Sequence, residues 1–138
     1  MSEASLAAQR VAVTKMRARE ALTALVPASH FMDRNERPER FPCVIVGEAQ
    51  TVSDESECFD GSEVFLTFHV WTKENGFVAC KSIAGEIRRA LKDASEIQDG
   101  FECNFSFNDT IFIRDPGGEL SHAVVQFVVL TEGIVGVA

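Results

Sequence analysis

Residues 63–76, EVFLTFHVWTKENG, decide how the chain is read. Side chains along a strand point alternately to its two faces. Val64, Leu66, Phe68 and Val70 therefore share one face, and Phe65, Thr67, His69 and Trp71 share the other. The first face is wholly apolar and suits a core. The second is half polar and carries a histidine beside the chain's single tryptophan. KENG is turn chemistry and ends the strand. The second face is thus either part of an active site or the wall of something that assembles.

The neighbours extend this strand into a domain. Residues 77–93 predict a helix, with Ala79, Cys80, Ile83, Ala84, Ile87, Ala90 and Leu91 on one face. Glu86 and Arg89 stand at pairing distance along it. Gly85, which costs about 1 kcal/mol against alanine in a helix interior, marks an expected close approach of another helix. Upstream, residues 42–47, PCVIVG, are apolar on both faces and read as an interior strand. Residues 48–61, EAQTVSDESECFDG, lack periodicity and read as a long acidic loop.

Residues 3–26 predict a first helix with Ala4, Ala7, Ala8, Val11, Ala18, Leu22 and Leu25 on one face. Lys15 interrupts that face, its stem lying along the core edge. Ser2 suits the N-cap, and Pro27 disfavours helix in the residue before it. Residues 27–40, PASHFMDRNERPER, form a charged connector. Near the C-terminus, Phe101, Cys103, Phe105 and Phe107 alternate with polar residues. Residues 108–110, NDT, break the alternation as a bulge, and IFIRD resumes it. DPGGE is a turn, and residues 119–132 form a last strand. These two strands make a long hairpin closed by Pro116, Gly117 and Gly118, followed by a flexible tail over 133–138.

The order α-β-β-α-β-β predicts one α+β domain over residues 1–138. Its expected form is a two-layer sandwich: a mainly antiparallel sheet of about four strands with two helices on one face.

Composition narrows the function. The chain has 138 residues, a net charge of −8 and a pI near 4.8. Nucleic-acid binding modules need a basic stripe, and the basic residues here (Lys15, Arg17, Arg19; Arg34, Arg37, Arg40; Arg88, Arg89, Lys92) form none. Eleven Phe and no Tyr suit a core better than an adaptable binding surface. Cys43, Cys58, Cys80 and Cys103 form no CxxC pair, and no signal peptide or apolar run of membrane-spanning length is read. They are expected as reduced thiols in a cytosolic compartment.

Residues that carry chemistry do not converge in the sequence. His30, His69 and His122, with Asp33 or Cys43, fit no metal-ligand spacing. Cys43, Cys80 and Cys103 are conceivable nucleophiles, but Cys80 and Cys103 sit on apolar stripes that raise a thiol's pKa. The acidic loop lacks the calcium-loop arrangement, and Gly117–Gly118 lack a phosphate-binding pattern. No catalytic residue, metal or cofactor is assigned. Two readings stay open: a small-molecule or peptide binding domain acting as an accessory subunit, or an assembly subunit.

Residues 41–91, FPCVIVGEAQTVSD…EVFLTFHVWTKENGFVACKSIAGEIRRAL, resemble the tail-completion family of long-tailed bacteriophages and prophage-like particles. The features that carry the resemblance are a Phe-Pro opening a short strand ending in Gly47, then a strand ending HVWT, a polar turn and a helix of the form IAGEIRRAL. The resemblance implies a non-enzymatic virion protein, a terminator assembled in the host cytoplasm and seated at the head-proximal end of the tail. It implies a ring of identical subunits, commonly six-fold, that caps the tail tube and stops its polymerisation. The implied partners are the tube protein and the head connector, with no membrane and no sequence-specific nucleic acid, since the genome passes through the lumen. A ring subunit places one patch against a different patch of its neighbour. The candidates are Phe31, Arg34 and Arg37 of the connector, Asp54, Glu55, Glu57 and Phe59 of the acidic loop, and Phe65, His69 and Trp71 of the strand.

Overall fold

Among the described residues more of this chain lies in strands than in helices. In the computed structural model, which describes residues 3–34, 38–54 and 61–134, six strands form one sheet. They are β1 (Phe31–Met32), β2 (Cys43–Ser53), β3 (Gly61–Lys73), β4 (Ser95–Gln98), β5 (Phe101–Arg114) and β6 (Leu120–Gly133), in the order β1-β2-β3-β6-β5-β4. β1 runs parallel to β2, and every other pairing is antiparallel. Three α-helices accompany the sheet among the described residues: α1 (Ala4–Ala18), α2 (Glu20–Thr23) and α3 (Val78–Leu91).

The expected two-layer sandwich of four antiparallel strands and two helices is therefore overturned. The sheet has six strands, is mixed, dominates the molecule and curls into a half-barrel. Native strand twist bends a sheet of this width. Two irregularities add local curvature, one between Val46 and Ala49 in β2 and one between Phe107 and Asp109 in β5. The second is the bulge expected at NDT. β4 arises from Gln98–Asp99–Gly100–Phe101, where Asp99 and Gly100 both take positive φ, 52° and 82°. That is the Asp-Gly hairpin turn whose twist matches its strands. β2 runs on to Ser53, paired with β3 down to Ser53↔Ser62, so the first part of the expected acidic loop is strand. Residues 55–60 lie outside the described residues.

α1 lies in the trough of the curl. Ala4, Ala7, Ala8, Val11, Ala12 and Met16 face the core, and the four alanines are 0–6% exposed. Small side chains let its axis approach the strands closely. Arg10 to Asp99 (2.7 Å) and Lys15 to Glu96 (2.6 Å) tie its open flank to β4 and the following turn. The helix breaks at Arg19, whose backbone is extended. This shifts the phase of the following turn: Leu22 and Val26 are buried, while Ala18 and Leu25, expected inside, are exposed. Arg19 meets Glu86 of α3 at 2.9 Å, and Glu86 also takes Arg89 at 3.0 Å. Glu3 caps α1 through the Ser5 amide; Ser2 lies outside the described residues.

α3 buries Cys80, Ile83, Ala84, Ile87 and Leu91. Its N-terminal amides are served by Glu74 in the KENG turn, which accepts from Cys80 N (2.9 Å), Ala79 N (3.2 Å) and the Thr72 hydroxyl (2.7 Å). Burial works against the charged carboxylate, but these donors win and hold Glu74 below the usual carboxylate range. Gly85 does not mark a helix contact: a Cβ there would meet only Arg89 Nη1 of its own helix.

The inward faces of β3, β5 and β6 meet the helices in one cluster. Phe127 is its hub, with its ring edge-on to Phe68 (6.2 Å), Phe105 (6.4 Å) and Phe107 (5.7 Å). Phe127→Ala empties the meeting point of three rings and should destabilise the fold by about 3–5 kcal/mol. Urea unfolding followed by circular dichroism measures it. A loss below about 1 kcal/mol would mean that the cluster is not the core.

Candidate functional site

The face of the sheet turned away from the helices is built by register. Cross-strand partners share a face, so Trp71↔His122, His69↔Val124 and Phe65↔Val128 stand side by side there. Ile111 and Ile113 of β5 join them opposite Val124 and His122, and Cys43 and Ile45 of β2 join them opposite Trp71 and His69. The face exposes Ile111 and Ile113 beside Val124 and His122, and Phe65 and Leu130 further along β3 and β6; the four are 36–51% accessible.

At the β2 end a polar chain runs across this apolar surface. The Trp71 and His122 rings stack at 3.9 Å with an 8° interplanar angle. His122 Nε2 faces His69 Nδ1 at 2.7 Å, and His69 Nε2 lies 2.8 Å from Glu48 Oε1. A carboxylate only accepts, so His69 Nε2 carries a proton and donates to Glu48. One proton then sits between the two rings. Gly47 makes the arrangement possible: a Cβ there would stand 2.5 Å from His69 Cδ2. Glu48 is held below the usual range, first by the His69 hydrogen bond. Burial, and then the neighbouring His69, push His122 down to about 4, against the opposing pull of Asp115 and Glu48. Above these residues lies a cleft of about 630 Å³, walled on the connector side by Asp33, Arg34 and Pro38.

Of the residues proposed from sequence, Arg34, His69 and Trp71 come together around this cleft. Phe65 lies further along the same face, and Asp54 is exposed just beyond β2, its amide donating to Gly61 O at 2.8 Å. Phe31 is a correction. It is 5% exposed and belongs to the core, because β1 docks beside β2 with this ring turned inward. Arg37, Glu55, Glu57 and Phe59 lie outside the described residues. Gly47, Glu48 and His122 were not singled out as partners of HVW, because only the β2–β3 and β3–β6 registers bring them there.

Other chemistry stays dispersed. Cys43, Cys80 and Cys103 are buried, and burial pushes each thiol up to about 11; Cys58 lies outside the described residues. Among the described residues no three His, Cys, Asp or Glu side chains converge as metal ligands. His30 is engaged with the Pro42 carbonyl at 2.7 Å. No described helix is long and apolar enough to cross a membrane.

Comparison with known proteins follows the same lines. The family described as "Tail completion protein gp17" matches residues 12–132. A chain from a solved "virion of native gene transfer agent (GTA) particle" superposes with a TM-score of 0.85. Its sequence identity is 20%, and the match covers 96% of this chain and all of that one. The gp17 protein of bacteriophage SPP1 superposes with a TM-score of 0.60 at 19% identity, covering 98% of this chain and 94% of that one. At these identities the two likenesses are likenesses of fold. No curated protein matches the sequence.

The histidine pair makes a pH prediction. An unfolded histidine takes up its proton near pH 6.5, whereas folded His122 does so only near pH 4. Between those values the unfolded state binds more protons, so stability falls as pH drops through that window. His122→Asn should flatten the part of this slope above pH 5. NMR titration of the ring should find His122 still neutral at pH 5, and a midpoint above pH 6 would refute the buried arrangement.

Proposed function

This chain belongs to the tail completion protein gp17 family, and on that premise we propose that it is the terminator of a phage or phage-like tail. A tail completion protein is a structural component of a virion. The finer reading is that subunits of this chain close into a six-fold ring at the head-proximal end, stop the tube from growing and present a surface to the head connector. The partners are then a second copy, the tube protein and the connector, assembled in the host cytoplasm. The observation that carries the reading is the family match along residues 12–132. The outer sheet face supports it, since an apolar patch with Phe65, Ile111, Ile113 and Leu130 accessible suits a protein surface better than a small ligand. A net charge of −8 suits a lumen through which DNA slides without adhering.

The test is absolute mass by light scattering across a concentration series, with and without magnesium, followed by incubation with purified tail tubes. The expected species is a six-fold multiple of the 15.2 kDa chain, free in solution or formed on the tubes, with tube growth arrested. A protein that stays a single chain, leaves the tubes unbound and leaves their growth unchanged would overturn the reading.

A further inference from the structure

Most of the sheet's hydrogen-bonding capacity is used internally, but two long edges are not. β1 covers only Val44 and Ile45 of β2. From Gly47 to Ser53 the outer edge of β2 has no strand beside it among the described residues, and residues 48–53 are exposed. At the other end of the sheet, β4 covers only Phe101–Asn104 of β5, and the Phe105 amide is taken by Ala94 O. From Ser106 to Arg114 the outer edge of β5 is open in the same way. Open edges of this length are templates for pairing with another chain, and proteins that must stay monomeric blunt them with proline, lysine or a covering element. Neither stretch contains proline or lysine, and although each carries one bulge, the register is regular beyond it, over residues 49–53 of β2 and 109–114 of β5.

The two edges differ in charge. Along β5 the positive groups are Arg114, over the Phe77 ring at 4.5 Å, Arg88, over Phe107 at 4.3 Å, and Lys81, over Phe112 at 5.3 Å. The acids are Glu102 and Asp109 within the strand and Asp115 just past it, so the positive groups still outnumber the acids along the open stretch. Along β2 the charged groups are Glu48, whose side chain is 73% exposed, and Asp54 just past the strand, with Asp33 and Arg34 on the opposite wall of the cleft. An acidic edge and a basic-flanked edge on one molecule complement each other, whereas either edge facing its own kind would bring like charges together.

We infer that the open edge of β5 pairs with the open edge of β2 of a second copy, joining neighbouring subunits through a continuous sheet. This deepens the ring reading above and rests on it. The contact is head-to-tail, so it leaves one free edge at each end of any open chain of subunits, and closure alone removes both. A copy added this way keeps its orientation. The alternation β2-β3-β6-β5 then makes the new pairing antiparallel, like its neighbours. By alternation, Val52 of β2 and Ile111 and Ile113 of β5 lie on the outer face and meet across the junction. Their exposures of 39, 51 and 44% are those of side chains with room for such a contact.

Oxidative cross-linking of full-length protein tests this in a Cys58→Ser background, the three buried native thiols being retained. Val52→Cys/Ile111→Cys and Val52→Cys/Ile113→Cys double variants sample both neighbouring registers. The expected result is a ladder of covalent multimers from at least one double variant. An equimolar mixture of the corresponding single variants should stop at the dimer, and each single variant alone should give at least tenfold less product. Absence of a ladder from both double variants would overturn the edge pairing, as would single variants that cross-link to themselves as well as to each other. The mass of the unmodified protein, alone and on tubes, separates the two levels. A ring without a ladder refutes the edge pairing and leaves the ring, whereas no ring and no ladder refute both.

Discussion

The contact on which the rest of the structure depends is that of α1 with the trough of the curled sheet. Four alanines on the inward stripe bring the helix axis near β3, with Met16 as the one large side chain of the stripe. A flat sheet would leave that stripe half wet, and a bulkier stripe would force the sheet open. The curl and the alanines are thus one constraint seen from two sides. The ion pairs at Arg10–Asp99 and Lys15–Glu96 are half exposed and add little energy of their own. Both join the helix to the β4 side of the sheet.

Much of this was legible in the sequence. The strand that KENG ends, the bulge at NDT and the long C-terminal hairpin each follow from local alternation and turn chemistry, and the structure has all three. The amphipathic stripe of α3 predicted its buried face except at Ala79, which is exposed. What escaped was of two kinds. β4 was missed although Asp99-Gly100 is a strong hairpin signal, because SEIQ is too short and polar to read as a strand. β1 and the far half of β2 were missed because two residues, or an exposed run such as EAQTVS, become strand only through pairing with a partner that no local pattern reveals. Those omissions turned a six-stranded mixed sheet into an apparent four-stranded sandwich.

The site shows the same division. His69 and Trp71 could be placed on one face from residues 63–76 alone. That His122 stacks on Trp71, and that Glu48 reaches His69 past Gly47, depends on registers between segments far apart in the chain. Phe31 was misplaced because the connector read as polar, and a lone aromatic in such a segment gives no sign of which way it turns. Side-chain identity supplied the ingredients, and sheet register assembled them.

The strand order also bears on how the molecule comes into being. The central partner of β3 is β6, the last of the six strands in chain order, and the two are joined residue for residue from Gly61↔Glu132 to Lys73↔Leu120. Pairings so remote in sequence form late, since the intervening chain must first be made and looped back. Until β6 arrives, β3 and β5 have no common neighbour and Phe68 lacks Phe127. A chain that has not yet brought Leu120–Gly133 into place therefore holds the parts of the sheet without its keystone.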